Sequence, residues 1–295
     1  MAITLTQPVL AELASRGAAV LVCDAARLPA GMILPLDAHS TQTQRMRDQL
    51  ELTEPRKKRL WQQVVRAKIT LQAELLRRRG ASSSKLTELA KQVRSGDPDN
   101  IEAQAARYYW TALFGPGFRR DREAGGQNAA LNYGYAVVRA AVARAVCGAG
   151  LHPTIGLHHH NRSNAFCLAD DLMEPFRPAV DQAVARAFPV GEPHAEEPRN
   201  GDTHGSLDRS ARAAMLAVLT GDLVVAGETR TVFDGIARAA SSLARAISDR
   251  NSRLLLPESL FAAGSAAGPG AGSPRRPARL DRSPPTQSGE IDRAG

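Results

Sequence analysis

The sequence reads as an α+β protein, a mainly α-helical body preceded by a short β-rich piece. Two observations carry this reading. Apolar residues recur at helical spacing through most of positions 41–258, and strand-like apolar runs appear before about position 38. With 295 residues, 43% hydrophobic and 23% charged, the chain can bury a sizeable core, which excludes a wholly disordered protein. No run of 18 apolar residues offers a membrane span.

The elements follow in order. Val9–Arg16 is a short amphipathic stretch stopped by Gly17, and Ala18–Cys23 and Met32–Leu36 are extended pieces. Two strands and a helix cannot form an independent core, so residues 1–40 read as the end of a β-rich domain. From Thr41 to Arg79 the pattern is helical, with Leu60, Val64, Ala67 and Leu71 at spacings of 4, 3 and 4. Ser82-Ser83-Ser84 breaks it, and Lys85–Val93 is another helix. Asp99 or Asn100 can cap Ile101–Phe114, which Gly115-Pro116-Gly117 stops. The longest helical run, Ala129–Cys147, ends at Gly148 and Gly150. Pro153–His160 is a short extended or turn segment. Asp170 or Asp171 then opens a helix carrying Met173, Phe176, Val180 and Val184, its start blurred by Pro175 and Pro178. Residues 190–207 form a polar loop, and Ala211–Leu219 and Val232–Ile247 are helical. Leu254-Leu255-Leu256-Pro257 ends the folded part, and residues 259–295 are a Gly/Pro/Arg-rich tail too poor in apolar residues to fold.

The charge is basic and clustered. Lys and Arg number 38 against 30 Asp and Glu, a net charge of +8. Arg56, Lys57, Lys58, Arg59, Arg66, Lys68, Arg77, Arg78 and Arg79 stand within one stretch opposed by Glu54 and Glu74. Such a stretch suits phosphate neutralisation, although charge alone does not separate a DNA track from a solvated helix face. The amino terminus lacks the basic start and cleavage site of a signal peptide. Three dispersed cysteines, Cys23, Cys147 and Cys167, make neither a disulfide framework nor a C-x-x-C zinc site, and point to a reducing cytoplasm.

Glu102, His159 and Glu174 are the residues most open to chemistry. Each also has a structural reading. Glu102 lies in the first turn of a helix, Asp171-x-x-Glu174 resembles a capping box, and His159 is the middle of a surface triplet, His158-His159-His160. If they converge, two hard oxygen ligands and one imidazole suit Mg²⁺ or Mn²⁺ with positions open for water and phosphate. Neighbours in an extended segment alternate in direction, so His159 is expected to face away from His158 and His160.

Four motifs occur in order: Glu102-Ala103-Gln104-Ala105-Ala106-Arg107-Tyr108-Tyr109-Trp110; Leu131-Asn132-Tyr133-Gly134-Tyr135; Gly156-Leu157-His158-His159 with Asn164-Ala165-Phe166; and Asp170-Asp171-Leu172-Met173-Glu174-Pro175-Phe176-Arg177-Pro178. Together they resemble the CRISPR-associated endonuclease and integrase of the spacer-acquisition module, its type II branch above all. The resemblance implies an N-terminal β-sandwich, of which residues 1–40 would be the shortened end, and a helical catalytic domain over 41–258. It implies a homodimer acting in the cytoplasm with a small ferredoxin-like CRISPR-associated partner protein. The substrates would be double-stranded DNA, as spacer precursor and CRISPR repeat, joined by transesterification in defence against foreign DNA. Carried over by motif, Glu102, His159 and Glu174 hold Mg²⁺ or Mn²⁺, with Asp171 and Asn164 behind them. Arg56, Lys57, Arg59, Arg66, Lys68, Arg77, Arg78 and Arg79 would contact DNA. A non-catalytic DNA-binding scaffold and a zinc-dependent hydrolase built on the His triplet are the competing readings; no H-E-x-x-H or cysteine ligand set accompanies the triplet.

Overall fold

The computed structural model describes residues 4–18, 20–23, 29–35, 39–189 and 207–262. The tail beyond 262, Leu36 and most of the polar loop lie outside them. Helix α1 (Gln7–Ser15) precedes an antiparallel pair, β1 (Val20–Cys23) and β2 (Pro29–Ile33), in which Val20 pairs with Ile33. The α+β class holds, and among the described residues no helix is long and apolar enough to cross a membrane.

Where one helical stretch is expected from Thr41 to Arg79, there are two helices, α2 (Gln42–Leu50) and α3 (Glu54–Arg78). Pro55 decides the division. It has no N–H to give an interior helical bond, so it is tolerated only in a first turn, and α3 begins there. The stripe Leu60, Val64, Leu71 is buried, and so is a second one, Trp61, Val65 and Gln72. Buried on two sides, α3 packs against α4 (Ser84–Gln92) and α5 (Ile101–Phe114) and becomes the central helix.

The other axis of the core is α6 (Gln127–Gly148), which contacts α7 (Cys167–Met173), α8 (Arg177–Ala187), α9 (Arg209–Ala217) and α10 (Val232–Ser248). The expected single helix after Asp170 is broken. α7 starts earlier, at Cys167, a 3₁₀ turn covers Glu174–Phe176, and α8 restarts at Arg177. Pro175 and Pro178 each sit in a first turn, the place where a missing N–H costs nothing.

A three-stranded sheet was not legible in the sequence: β3 (Asp222–Val225) lies between β4 (Glu228–Thr231) and β5 (Pro257–Ser259). The β3–β4 loop is Ala226-Gly227, both at positive φ (52° and 74°), as a two-residue hairpin requires. Folded structure runs past Pro257 to Leu260, whose N–H is held, with the Ser259 hydroxyl, by the Glu74 carboxylate.

Gly134 sits where α6 meets α8 and α9. A Cβ there would overlap Val180 Cγ1 and crowd Met215 Sδ, at 3.1 Å. Gly134→Ala is expected to lower stability by about 1–3 kcal/mol, the usual cost of overpacking. A urea-unfolding midpoint equal to that of the wild type would show that the helices can move apart at no cost.

Candidate functional site

Glu102 enters the site from the second residue of α5. The helix is capped by Asp97, whose carboxylate accepts the N–H groups of Ile101 and Glu102 (2.9 and 3.0 Å). Neither Asp99 nor Asn100 is the side-chain cap; Asn100 instead takes a left-handed turn at φ 52°. The Glu102 carboxylate is therefore free for other work. It meets Lys68 Nζ at 2.5 Å. Glu174, 3% exposed, reaches the same ammonium at 2.6 Å and Arg177 Nε at 2.9 Å. The capping-box reading of Asp171-x-x-Glu174 fails, because both residues lie beyond the start of α7.

Asp171 has a different task. It is fully buried, and Oδ2 accepts the N–H groups of Leu157 and His158 (2.6 and 3.0 Å). Its Oδ1 accepts the His159 N–H at 3.2 Å and pairs with His159 Nδ1 at 2.6 Å. Three successive amides aimed at one carboxylate mean that this segment curls. The expected alternation is accordingly absent. His158 stacks flat on Trp61 (4.4 Å, 1°), while His159 meets the same indole edge-on (5.9 Å, 84°). His160 stays exposed and bonds its own loop through the His158 carbonyl. With Nδ1 engaged, His159 presents Nε2 as its remaining ligand atom. Gly156 makes the curl possible: a Cβ there would overlap the His159 carbonyl oxygen and sit 2.9 Å from Asp171 Oδ2.

The loop is tied down from both sides. Buried Gln49 of α2 donates to the carbonyls of His152 and Ile155 and accepts the His152 N–H. Asn164 donates to Asp170 Oδ2 at 2.6 Å, and Arg139 of α6 binds both residues. The Asn161–Asn164 turn thus returns the chain to the start of α7, beside the histidines.

The basic stretch is divided. Arg56 donates to the carbonyls of Ala246, Asp249 and Arg250, closing the C-terminal end of α10. Arg66 donates to the Val93 carbonyl at the end of α4. Lys57 pairs with Glu54, Arg59 bonds the Pro55 carbonyl, and Arg78 lies over the Phe261 ring. Lys68 faces inward with Trp61 and Gln72. Arg77 and Arg79 are the exposed arginines at the end of α3.

The electrostatics follow from burial. Burial opposes the Lys68 ammonium, yet Glu174 and Glu102 hold its pKa above the ordinary lysine value. Burial likewise opposes ionisation of Glu174, and Arg177 and Lys68 outweigh it, so its pKa is lowered. The Asp171 hydrogen bond raises His159 above the ordinary imidazole value, against desolvation. Among the described residues no three His, Cys, Asp or Glu side chains stand together at metal-ligand reach; between the two glutamates lies the Lys68 ammonium. The donors nevertheless fit a hard cation. Two carboxylates from separate elements already converge on one positive charge, and Glu174 Oε2, buried, accepts no well-aligned hydrogen bond.

A helical body in which two acids meet on one buried lysine, with a buttressed imidazole on a loop of the same body and small β elements beside it, is the class that this fold and site define. The chain belongs to the family described as CRISPR associated protein Cas1, whose model matches residues 1–220. It is 39% identical, over 259 residues, to the CRISPR-associated endonuclease Cas1 of Neisseria meningitidis serogroup C (strain 8013), covering 87% of this chain and 82% of that one. Its fold is similar to that of a casposase bound to integration product (TM-score 0.70, 20% identity, 85% of this chain and 77% of that one). It is similar too to a chain of a Cas6-RT-Cas1–Cas2 complex (TM-score 0.66, 18% identity, 86% and 31%).

Below the site, Asp181 is buried and accepts the hydroxyls of Tyr109 (2.8 Å) and Tyr135. Burial pushes its pKa up to about 6, against the pull of the two hydroxyls. A carboxyl whose folded pKa exceeds its unfolded value of about 3.9 adds stability that is complete below that value and lost as pH rises through about 6. Asp181→Asn removes this titration. Its melting temperature relative to wild type is expected to climb between pH 4 and pH 7; a constant difference across that window would show that Asp181 stays ionised in the fold.

Proposed function

We propose that the chain is a metal-dependent DNA endonuclease and integrase of CRISPR adaptation, inserting new spacer DNA into a repeat array by transesterification. The observation that carries the proposal is the meeting of Glu102 and Glu174 on one cation, together with a histidine whose Nδ1 is held by Asp171. Its family supports it: the Neisseria relative is named an endonuclease, and the similar casposase is described on an integration product.

Glu102, His159 and Glu174 would hold Mg²⁺ or Mn²⁺. When bound, such an ion polarises a phosphoryl oxygen and stabilises the charge of an in-line displacement by a DNA 3′-hydroxyl or by water. The chain's own contributions can be derived from the geometry. Asp171 fixes the His159 ring through Nδ1 and its loop through three backbone amides, which leaves Nε2 as the available ligand atom. Arg177 keeps Glu174 ionised inside a dry pocket. Arg77 and Arg79 neutralise phosphates without reading bases. The partners on this reading are a spacer-precursor duplex, the CRISPR repeat, a second copy of the chain and a small ferredoxin-like adaptation protein; the Cas1–Cas2 assembly among the similar structures is in keeping with the last. The zinc-hydrolase reading loses its basis, since His158 is stacked on Trp61 and His160 points into its own loop.

Two outcomes are expected. Glu102→Gln and Glu174→Gln should each abolish Mn²⁺-dependent cleavage and strand transfer of a labelled duplex while leaving its affinity in EDTA within a few-fold of wild type. Turnover at the wild-type rate in either variant would remove the metal-site assignment. Arg77→Ala with Arg79→Ala should flatten the log–log salt dependence of duplex binding by roughly 0.9 per lost phosphate contact. An unchanged slope would make them a solvated helix end only.

A further inference from the structure

Behind the two cations that hold Glu174 lies a partly enclosed cavity of about 200 Å³. Lys68 and Arg177 form one wall, and Arg120 and Arg122, from the α5–α6 loop, form another. Its acid is Asp181, and both Asp181 oxygens are already taken by tyrosine hydroxyls. Lys68 and Arg177 are offset by Glu102 and Glu174, so Arg120 and Arg122 stand against one engaged carboxylate and the lining keeps a surplus of positive charge.

Arg120 is set in place before any ligand arrives. Its guanidinium donates to Asn128 Oδ1 (3.0 Å), the Asp121 carbonyl (2.9 Å) and Asn132 Oδ1 (2.5 Å). It also approaches the Tyr135 ring to 5.7 Å, and Arg177 approaches the same ring to 4.6 Å. Two like charges brought to one ring around an open cavity leave a positive potential that an anion would relieve. Gln72, also in the lining and 2% exposed, keeps its amide oxygen without a hydrogen-bond partner. An amide oxygen only accepts, so this part of the floor suits a water that donates to it and to an anion beside it, and not an apolar ligand. The volume is below the roughly 300–1,000 Å³ of pockets for drug-sized molecules. It admits a phosphate group, not a phosphate together with a base.

We propose that this cavity is a phosphate-binding subsite, which takes a backbone phosphate of the DNA strand next to the one at Glu102 and Glu174. The assignment to DNA rests on the function proposed above; the affinity for phosphate does not. Lys68 and Arg177 serve both places, lining the cavity and holding Glu174. Filling the cavity would fix the register of the strand across the acids, a positioning contribution of the kind that turns binding into rate.

Two measurements test this, both on the full chain in EDTA, so that catalysis plays no part. Isothermal titration with inorganic phosphate at low ionic strength should show one saturable site. Arg122→Glu, on an exposed loop position, should weaken it at least tenfold, and Arg122→Lys should restore most of the affinity. Absence of a saturable site, or an Arg122→Glu variant that binds like the wild type, overturns the proposal. The second measurement scans a single strand in which each phosphate in turn is replaced by a neutral methylphosphonate. One position should lose about tenfold in affinity for the wild type and nothing for Arg122→Glu. If phosphate binds but no position responds, the site serves free phosphate and the DNA assignment falls. If the position responds while Glu174→Gln still cleaves, the subsite stands and the metal-site reading fails.

Discussion

The constraint on which the rest of this molecule depends is that two carboxylates cannot share a dry pocket without a cation between them. Glu102 and Glu174 come from different elements, and the Lys68 ammonium joins them. Removing one member of such a buried set leaves a charge uncompensated, which generally costs about 3–5 kcal/mol. The architecture follows from this. α3 must pass through the middle of the fold to deliver Lys68, α5 must start beside it to present Glu102, and the chain must break helix geometry at Glu174 to bring that acid inward. The 3₁₀ turn Glu174–Phe176, with Pro175 inside it and Pro178 in the first turn of α8, is the local means.

A second buried carboxylate does for the histidine what Lys68 does for the acids. Asp171 converts a loop into a fixed element by taking three successive amides and one ring nitrogen. Stacking with Trp61 then fixes the plane of His158, and through it the neighbouring ring. The loop gains its rigidity from groups that no ligand needs to touch: an indole on α3, a carboxylate on α7 and a glutamine on α2. Precision of this kind is what sites on loops otherwise lack.

Much of this was legible in the sequence, and the failures have physical causes. Helices α5, α6 and α10 were visible within two residues at each end, because strong apolar periodicity was bounded by caps and glycines. The motif residues Glu102, His159 and Glu174 could be picked out, although composition alone gave each a structural alternative. Lys68 was grouped with the other cations expected to contact DNA, and its inward position was not foreseen, yet a signal existed: it falls three residues after Val65 and four before Gln72, on the stripe of Trp61. Charge type outweighed helical position in that reading. The β3–β4 hairpin was missed because Ala226-Gly227 is a weak turn signal beside Asn-Gly. The alternation expected of three histidines failed because that rule belongs to strands, and a buried aspartate 12 residues downstream of His159 overrode it. Arg56 and Arg66 look like a DNA track in sequence because nothing local shows the carbonyls at the ends of α10 and α4 that they satisfy.

The charge balance at the centre also links the two ligands of the proposed activity. Without them, Lys68 and Arg177 offset Glu102 and Glu174, and the pocket is neutral. A divalent cation added to that set leaves a surplus of positive charge in a place where burial makes charge costly. The cavity beyond, with Arg120 and Arg122, adds to the surplus and offers no free carboxylate against it. What can restore the balance is a polyanion laid across both, with one phosphate at the acids and one in the cavity. Metal and DNA then favour each other, and because such coupling is reciprocal, each strengthens the other's binding by the same factor. The lysine that joins the acids and the arginines behind it are, on this account, two halves of one device: the first offsets the buried carboxylates, and the second answers the charge of a strand laid across them.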